Sequence, residues 1–380
     1  MRISIPISAF VAAIVGFGGT LAVVIAAAKA VGATQIETAS GVTALCLAMA
    51  FECLWLSWRT RMPVISAWST PGLALVAASS GFSMAEAVGA FVITGILLVA
   101  TALLKPLARL IASIPASVAS GMLAGILVSF AVNAIKAVPA DPWLILPLIA
   151  AFFVIRLFNP ALSVLVVLVG GGLAAFLTGR VGGLPAPELS TLTWIMPDFS
   201  TGAVIGLGLP LYLVTMASQN LSGLAVLRAA GYHPDSRLLI GVTGLFSLLS
   251  APFGAGTTNL AAISAALCTG PDVHPDPGER WKTGPFYSLA YLIFAVFGAS
   301  LVAVFAVLPH GLIVLVAGLA LLAPLANALS IALKDEAERM PATVTFAVTV
   351  SGLTLFGVGA AFWGLVTGMA VLFLEKLKKR

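Results

Sequence analysis

Apolar residues in this chain come in long runs, separated by short polar or proline- and glycine-containing stretches. A run of roughly 20 apolar residues is long enough for a helix to cross the hydrocarbon core of a bilayer. The runs predict spans at 5–28, 36–58, 64–79, 86–104, 114–134, 142–158, 160–179, 201–227, 237–252, 256–269, 284–307, 309–329, 342–357 and 359–375. The pattern is that of an all-α integral membrane protein with about 14 transmembrane spans. The first run directly follows Met1 and Arg2 and has no clear cleavage site. It reads as a retained span rather than a signal peptide.

Two runs are interrupted, the third and the tenth. In the tenth, Pro252, Gly254 and Gly256 prevent a continuous helix. Thr257, Thr258 and Asn259 then supply cap-type side chains for a short helix over 260–267. In the third, Ser69 or Thr70 can cap a helix that has Pro71 in its first turn. Bare backbone polar groups are not tolerated in lipid, so such breaks must be buried in protein or line a cavity. Thr70 and Thr257 lie 187 positions apart, close to half the chain. Interrupted spans at matching places in two halves point to a transporter's binding site.

Composition supports the membrane reading. Of 380 residues, 60% are hydrophobic and 9% charged, and the mean hydropathy is +1.12. These values exclude a soluble domain, and no loop is long enough to form one. The net charge of +5 is spread singly between spans, so it is no nucleic-acid footprint. With the N-terminus in the cytoplasm, 16 of the 19 Lys and Arg residues fall inside, Arg109, Lys379 and Arg380 among them. Lys29, Lys136 and Arg180 fall outside. This bias supports an even span count with both termini cytoplasmic. Cys46, Cys53 and Cys268 lie within apolar runs and suggest neither a disulfide framework nor a metal site. His233, His274 and His310 are isolated in or near loops.

The Pro- and Gly-containing stretch 181–200 divides the chain into 1–196 and 197–380, each with about seven spans. An odd count per half makes the two halves inverted repeats. Gly16 to Thr20 and Gly206 to Pro210 echo each other and read as close helix packing, as do Gly121/Gly125 and Gly364/Gly368.

Polar residues inside the spans are few: Ser69 and Thr70; Ser218, Gln219 and Asn220; Thr257, Thr258 and Asn259. Singly, each could be an interhelical hydrogen bond. Together, beside two broken helices, they form a candidate binding site. The set has hydroxyls and amides but no carboxylate and no cation, and helix starts favour negative charge, so it suits a carboxylate. Phe17, Trp68, Tyr212 and Phe253 are available to an apolar ring. Glu52 is the carboxylate well inside a span. At that depth it could carry a proton or form a structural pair with Arg59 or Arg61. Glu37, Glu86 and Asp198 read as helix-start charges.

Trp68-Ser-Thr-Pro-Gly72, Ser218-Gln-Asn220, Pro252-Phe-Gly254 and Asn259-Leu-Ala-Ala-Ile263 resemble the benzoate/proton symporter (BenE) family. The resemblance covers essentially the whole chain. It implies the fold of the uracil and nucleobase–ascorbate transporters, an inverted repeat of seven plus seven spans. It implies a core domain of spans 1–4 and 8–11 that moves like an elevator against a gate domain of spans 5–7 and 12–14. It further implies an aromatic carboxylate bound between spans 3 and 10, with Trp68, Ser69, Thr70, Gly72, Phe17, Gln219, Asn220, Thr257, Thr258 and Asn259 as site residues. A proton would be the coupled partner, with Glu52 as candidate carrier. No cofactor, metal or nucleic acid is expected; lipid surrounds the protein, the membrane is the inner one, and a homodimer is compatible. The nucleobase branch carries acidic residues in spans 8 and 10, where this chain has Gln219 and about Ile263. Their neutrality agrees with a carboxylate substrate. A carrier of another anion or a nucleobase is the alternative. An intramembrane enzyme is disfavoured because no His lies at membrane depth, and a passive channel fits the paired breaks less well.

Overall fold

The computed structural model describes residues 2–106, 113–181 and 183–378, so Arg109, Lys379 and Arg380 lie outside the described residues. The first half contains helices α1 (Ser4–Ala30), α2 (Gln35–Thr60), α3 (Thr70–Ala78), α4 (Met84–Leu103), α5 (Ala116–Lys136), α6 (Pro142–Phe158) and α7 (Pro160–Leu177). The second contains α8 (Thr201–Ala229), α9 (Ser236–Ser250), α10 (Ile263–Thr269), α11 (Thr283–Val296), α12 (Gly298–Val307), α13 (His310–Ala332), α14 (Arg339–Val350) and α15 (Ala360–Lys378). Nine described helices are long and apolar enough to cross a membrane. The protein is a helical integral membrane protein.

Local chemistry sets the helix starts. Thr34 with Glu37 and Ser83 with Glu86 form capping boxes on α2 and α4. Asp141, Asn159, Ser200 and Asp235 cap α6, α7, α8 and α9. Asp198 is not a helix-start charge: it precedes the Ser200 cap, and its N–H donates to the Ala85 carbonyl. The stretch around it is an extended strap rather than a loose linker. Thr193 N–H donates to Ser40 Oγ, Ile195 N–H to the Pro252 carbonyl and Ser190 N–H to the Val296 carbonyl.

Three predicted spans differ in detail. The run 284–307 is bent by 63° between α11 and α12. Gly298 sits there against α2, where a Cβ would lie 2.7 Å from Thr43 Oγ1. The run 342–357 stops being helical at Val350, because Gly352, Phe356 and Gly357 take positive φ in a turn. The tenth run does not begin its helix at Leu260. Residues Thr258–Leu260 form strand β2, antiparallel to β1 (Ser66–Trp68), with Ser66 opposite Leu260, Ala67 opposite Asn259 and Trp68 opposite Thr258. Ser69 N–H to the Thr257 carbonyl and Ala261 N–H to the Ile65 carbonyl, both 2.8 Å, extend the ladder. The two extended segments thus satisfy each other's backbone at membrane depth.

The helices pack in two groups. One joins α4 to α9, α2 to α11, and α1 to α3, α10 and α11. The other joins α5 to α13 and α14, α14 to α15, and α6 to α7. Gly121 and Gly125 of α5 press on Ala342 and Thr349, while Gly364 and Gly368 of α15 press on Thr349 and Thr345. Small residues on both sides therefore bring two helices close to α14. Between the groups, α1 meets α7 and α13, and α3 meets α5.

Candidate functional site

A cavity of about 1010 Å³ opens along the seam between the two groups. At one end it is lined by Gly16, Thr20, Trp68, Thr70 and Tyr291, and at the other by Arg156, Glu338 and Lys376 near helix ends. Of the residues in the predicted site, Trp68, Thr70, Ser218 and Gln219 line it. Trp68 is 2% exposed, and its Nε1 donates to Thr20 Oγ1 at 2.7 Å, which fixes the indole. Phe17 stands behind it, 5.5 Å between ring centroids, and Tyr291 lies edge-on at 6.3 Å. Phe17 therefore supports the aromatic wall from the core and is not part of the cavity surface.

The start of α3 is held as the sequence predicts. Ser69 Oγ accepts from Gly72 N–H at 3.2 Å, and Pro71 occupies the first turn. Gly72 packs on α8, since a Cβ there would lie 2.5 Å from Leu211 Cδ1. Thr215 Oγ1 lies 3.0 Å from both Ser69 Oγ and Thr257 Oγ1, joining the two broken spans. Thr215 begins a π-helical stretch over Thr215–Asn220 that also carries Gln219 and Asn220. Such insertions recur at functional sites.

Four predicted contact residues point elsewhere. Thr257, Thr258, Asn259 and Asn220 are buried and do not line the cavity. Asn220 Oδ1 accepts from Leu260 N–H at 3.0 Å and so holds β2. The Asn259 amide, turned to match its neighbours, accepts from Ser69 N–H and donates to the Leu260 carbonyl, both at 2.9 Å. The cap-type side chains serve the ladder and its surroundings, and α10 begins without a side-chain cap. Ser69 likewise lies behind the cavity surface.

Thr258 turns into the core. Its Oγ1 donates to Glu52 Oε1 at 2.5 Å and lies 3.1 Å from both Ser247 Oγ and the Thr243 carbonyl. Glu52 is fully buried, and its Oε2 has no hydrogen-bond partner among the described residues. The arginines weighed as partners do not reach it: no Glu52 ion pair occurs among the described residues, and the Arg61 guanidinium lies over the Trp281 ring at 4.3 Å. The carboxyl is therefore anchored by β2 through one oxygen alone.

Sequence reasoning missed Thr20, Thr215, Ser264 and Tyr291. Tyr287 and Tyr291, one turn apart in an apolar run, were the visible signal for the last. Their hydroxyls lie 3.3 Å apart, and a Cβ on Gly16 would approach Tyr291 Oη to 3.4 Å and Ser264 Oγ to 3.0 Å.

Comparison with known proteins agrees with this architecture. Residues 2–374 match the family model BenE, benzoate membrane transport protein. The chain is 39% identical to "Inner membrane protein YdcO" of Escherichia coli (strain K12), covering 95% of this chain and 93% of that protein. It is 33% identical to "Benzoate membrane transport protein" of Acinetobacter baylyi (strain ATCC 33305 / BD413 / ADP1), covering 98% and 95%. Among solved structures, the transmembrane domain of a cyanobacterium bicarbonate transporter, BicA, is similar at TM-score 0.62 and 16% identity, with 99% of this chain and 98% of that one covered. The murine Solute Carrier 26 family member A9 anion transporter in the inward-facing state is similar at TM-score 0.69 and 11% identity, with 100% and 69% covered. These structural likenesses fall on anion transporters rather than on the nucleobase carriers whose fold the resemblance implied; at such identities they speak for the fold alone. The family match spans nearly the whole length, and with it this chain belongs to the benzoate membrane transport proteins, membrane transporters rather than enzymes.

Proposed function

We propose that the protein carries an aromatic carboxylate, with benzoate as the type, together with a proton across the inner membrane. The observation that carries this reading is the adjacency of Trp68 and Thr70 on one arm: an aromatic face and a helix start border the same cavity. A ring against Trp68 would place its carboxylate toward the Thr70 hydroxyl and the α3 dipole. Gln219, neutral on the facing helix, adds an amide without repelling the anion. The naming of relatives as benzoate and inner membrane proteins supports substrate class and location.

In this reading the two packing groups are the core and the gate, arranged as inverted halves with seven spans each. The core slides against the gate in an elevator motion, carrying β1, α3, β2 and α10 with the substrate. Both termini are cytoplasmic, so the cavity end bearing Arg156, Glu338 and Lys376 opens inward. Glu52 holds the coupled proton, and Thr258 links it to the ladder next to the substrate.

The test is uptake into vesicles under an imposed proton gradient, with benzoate, bicarbonate, sulfate and uracil as substrates. Accumulation of benzoate that collapses with an uncoupler is expected. Uptake of uracil or of an inorganic anion in preference to benzoate would overturn the substrate class. Reporter fusions at the C-terminus and in the 270–283 loop should both report cytoplasm.

A further inference from the structure

The same seam opens a second time, in a crevice of about 480 Å³ at the opposite end from the large cavity. Lys29 of α1, Ser80 beyond α3, Asn133 of α5 and His310 at the start of α13 line it. No Asp or Glu lines it among the described residues. In the orientation proposed above, this is the outer end, so the inference rests on that orientation.

Charge on that face is otherwise unfavourable to an anion. The outer loops and helix ends carry three cations, Lys29, Lys136 and Arg180, against five carboxylates, Glu37, Glu86, Asp141, Glu188 and Asp198, a net of −2. The cytoplasmic side carries 16 cations against eight carboxylates. Arg180 is already held by Asp141, Nε to Oδ2 at 2.9 Å. Lys136 does not line the crevice. Lys29 is exposed and makes no ion pair with a described residue. Lys29 is therefore the outer cation that lines the seam and has no ion pair among the described residues.

We propose that this crevice is an outer anion-collecting site, in which Lys29 supplies the positive field and His310 and Asn133 supply hydrogen-bond donors for a carboxylate before the seam opens. A cleft with low-dielectric walls focuses such a field, raising the local concentration of an anion and its capture rate. The face around it repels anions, so capture is confined to the seam.

The field can be read without any transport assay. Cys46, Cys53 and Cys268 are buried, so Ser80→Cys places an accessible thiol in the crevice. In intact cells, the thiol is labelled with two membrane-impermeant methanethiosulfonates, one bearing a sulfonate and one a trimethylammonium group. The sulfonate should gain relative to its rate on a small free thiol, and Lys29→Gln should lower the anion-to-cation rate ratio by about three- to tenfold. Lys29→Arg should preserve the ratio, which separates charge from folding, and high salt should flatten it. In the same variants, Lys29→Gln should raise the benzoate KM measured from outside while leaving that measured from inside unchanged. An unchanged rate ratio, or labelling from the cytoplasmic side alone, overturns the collecting site. A ratio that shifts as expected in a protein that takes up no benzoate supports the crevice and overturns the substrate reading instead.

Discussion

The two interrupted spans look alike in sequence and are used differently. The first arm, β1 with α3, has a capped helix start, and it turns Trp68 and Thr70 toward the cavity. The second, β2 with α10, has no side-chain cap, and it turns Thr258 away from the cavity to Glu52. The ladder joins them directly, with Trp68 opposite Thr258. Both arms thus border the cavity, the second through Ala261, Ala262, Ile263 and Ser264, and the second alone also reaches the buried acid through Thr258. A pair of polar breaks in a membrane protein can border one cavity and still send their polar side chains to different places.

That division makes distinct demands on four variants. Glu52→Gln bears most directly on coupling: proton-driven accumulation of benzoate should fall by about tenfold or more, because in the proposed reading the group that exchanges a proton with the gradient is gone. Gradient-free exchange of labelled for unlabelled benzoate should stay within about threefold of wild type. Equal losses in both assays would assign Glu52 to the fold rather than to coupling.

Trp68→Ala comes next. Removing a large aromatic contact costs on the order of 1.5–3 kcal/mol, or roughly ten- to a hundredfold in affinity. Calorimetry on purified protein should show that loss while the pH dependence of uptake keeps its shape. A changed pH profile would mean that the arms do not divide the work.

Thr70→Ala should weaken benzoate binding by about tenfold, the value of one hydrogen bond to a charged group at roughly 1.5 kcal/mol. Thr70→Ser should recover most of it. Full affinity in Thr70→Ala would move the carboxylate away from the α3 start. The smallest effect on affinity is expected for Thr258→Val, within about threefold, because the side chain does not reach the cavity. Its signature should instead be a displaced pH profile of uptake, since the donor to Glu52 is lost. A large affinity loss with an unmoved pH profile would place Thr258 in the binding surface after all.

Much of the fold was legible because lipid imposes strict rules. Apolar run length located the long helices, and Pro71, Pro252, Gly254 and Gly256 marked the breaks. Ser69 was recognisable as a cap because Pro71 followed it. The ladder was not legible. Strands of three residues in an apolar run show no alternation, and their partner lies in the other half of the chain. Thr257, Thr258 and Asn259 were misassigned to a helix start because the same short polar side chains serve caps, strands and buried networks alike. Asn220 appeared as a substrate contact because a lone amide in a membrane helix gives no hint that a distant backbone N–H will claim it. Tyr291 was hidden by the opposite ambiguity, an aromatic among aliphatics that packs in most helices and here also faces the cavity.

The ladder also bears on how the molecule is made. Ser66 and Leu260 are paired although 194 positions separate them. At about 5–20 residues per second, a ribosome needs roughly 10–40 s to add that much chain. Throughout that interval β1 has no partner for its backbone, and lipid offers none. Until β2 is made, the β1–α3 arm therefore needs backbone partners that lipid does not supply. Closure of the ladder is a late biosynthetic event, and an interruption of synthesis before Thr258 leaves β1 without its partner.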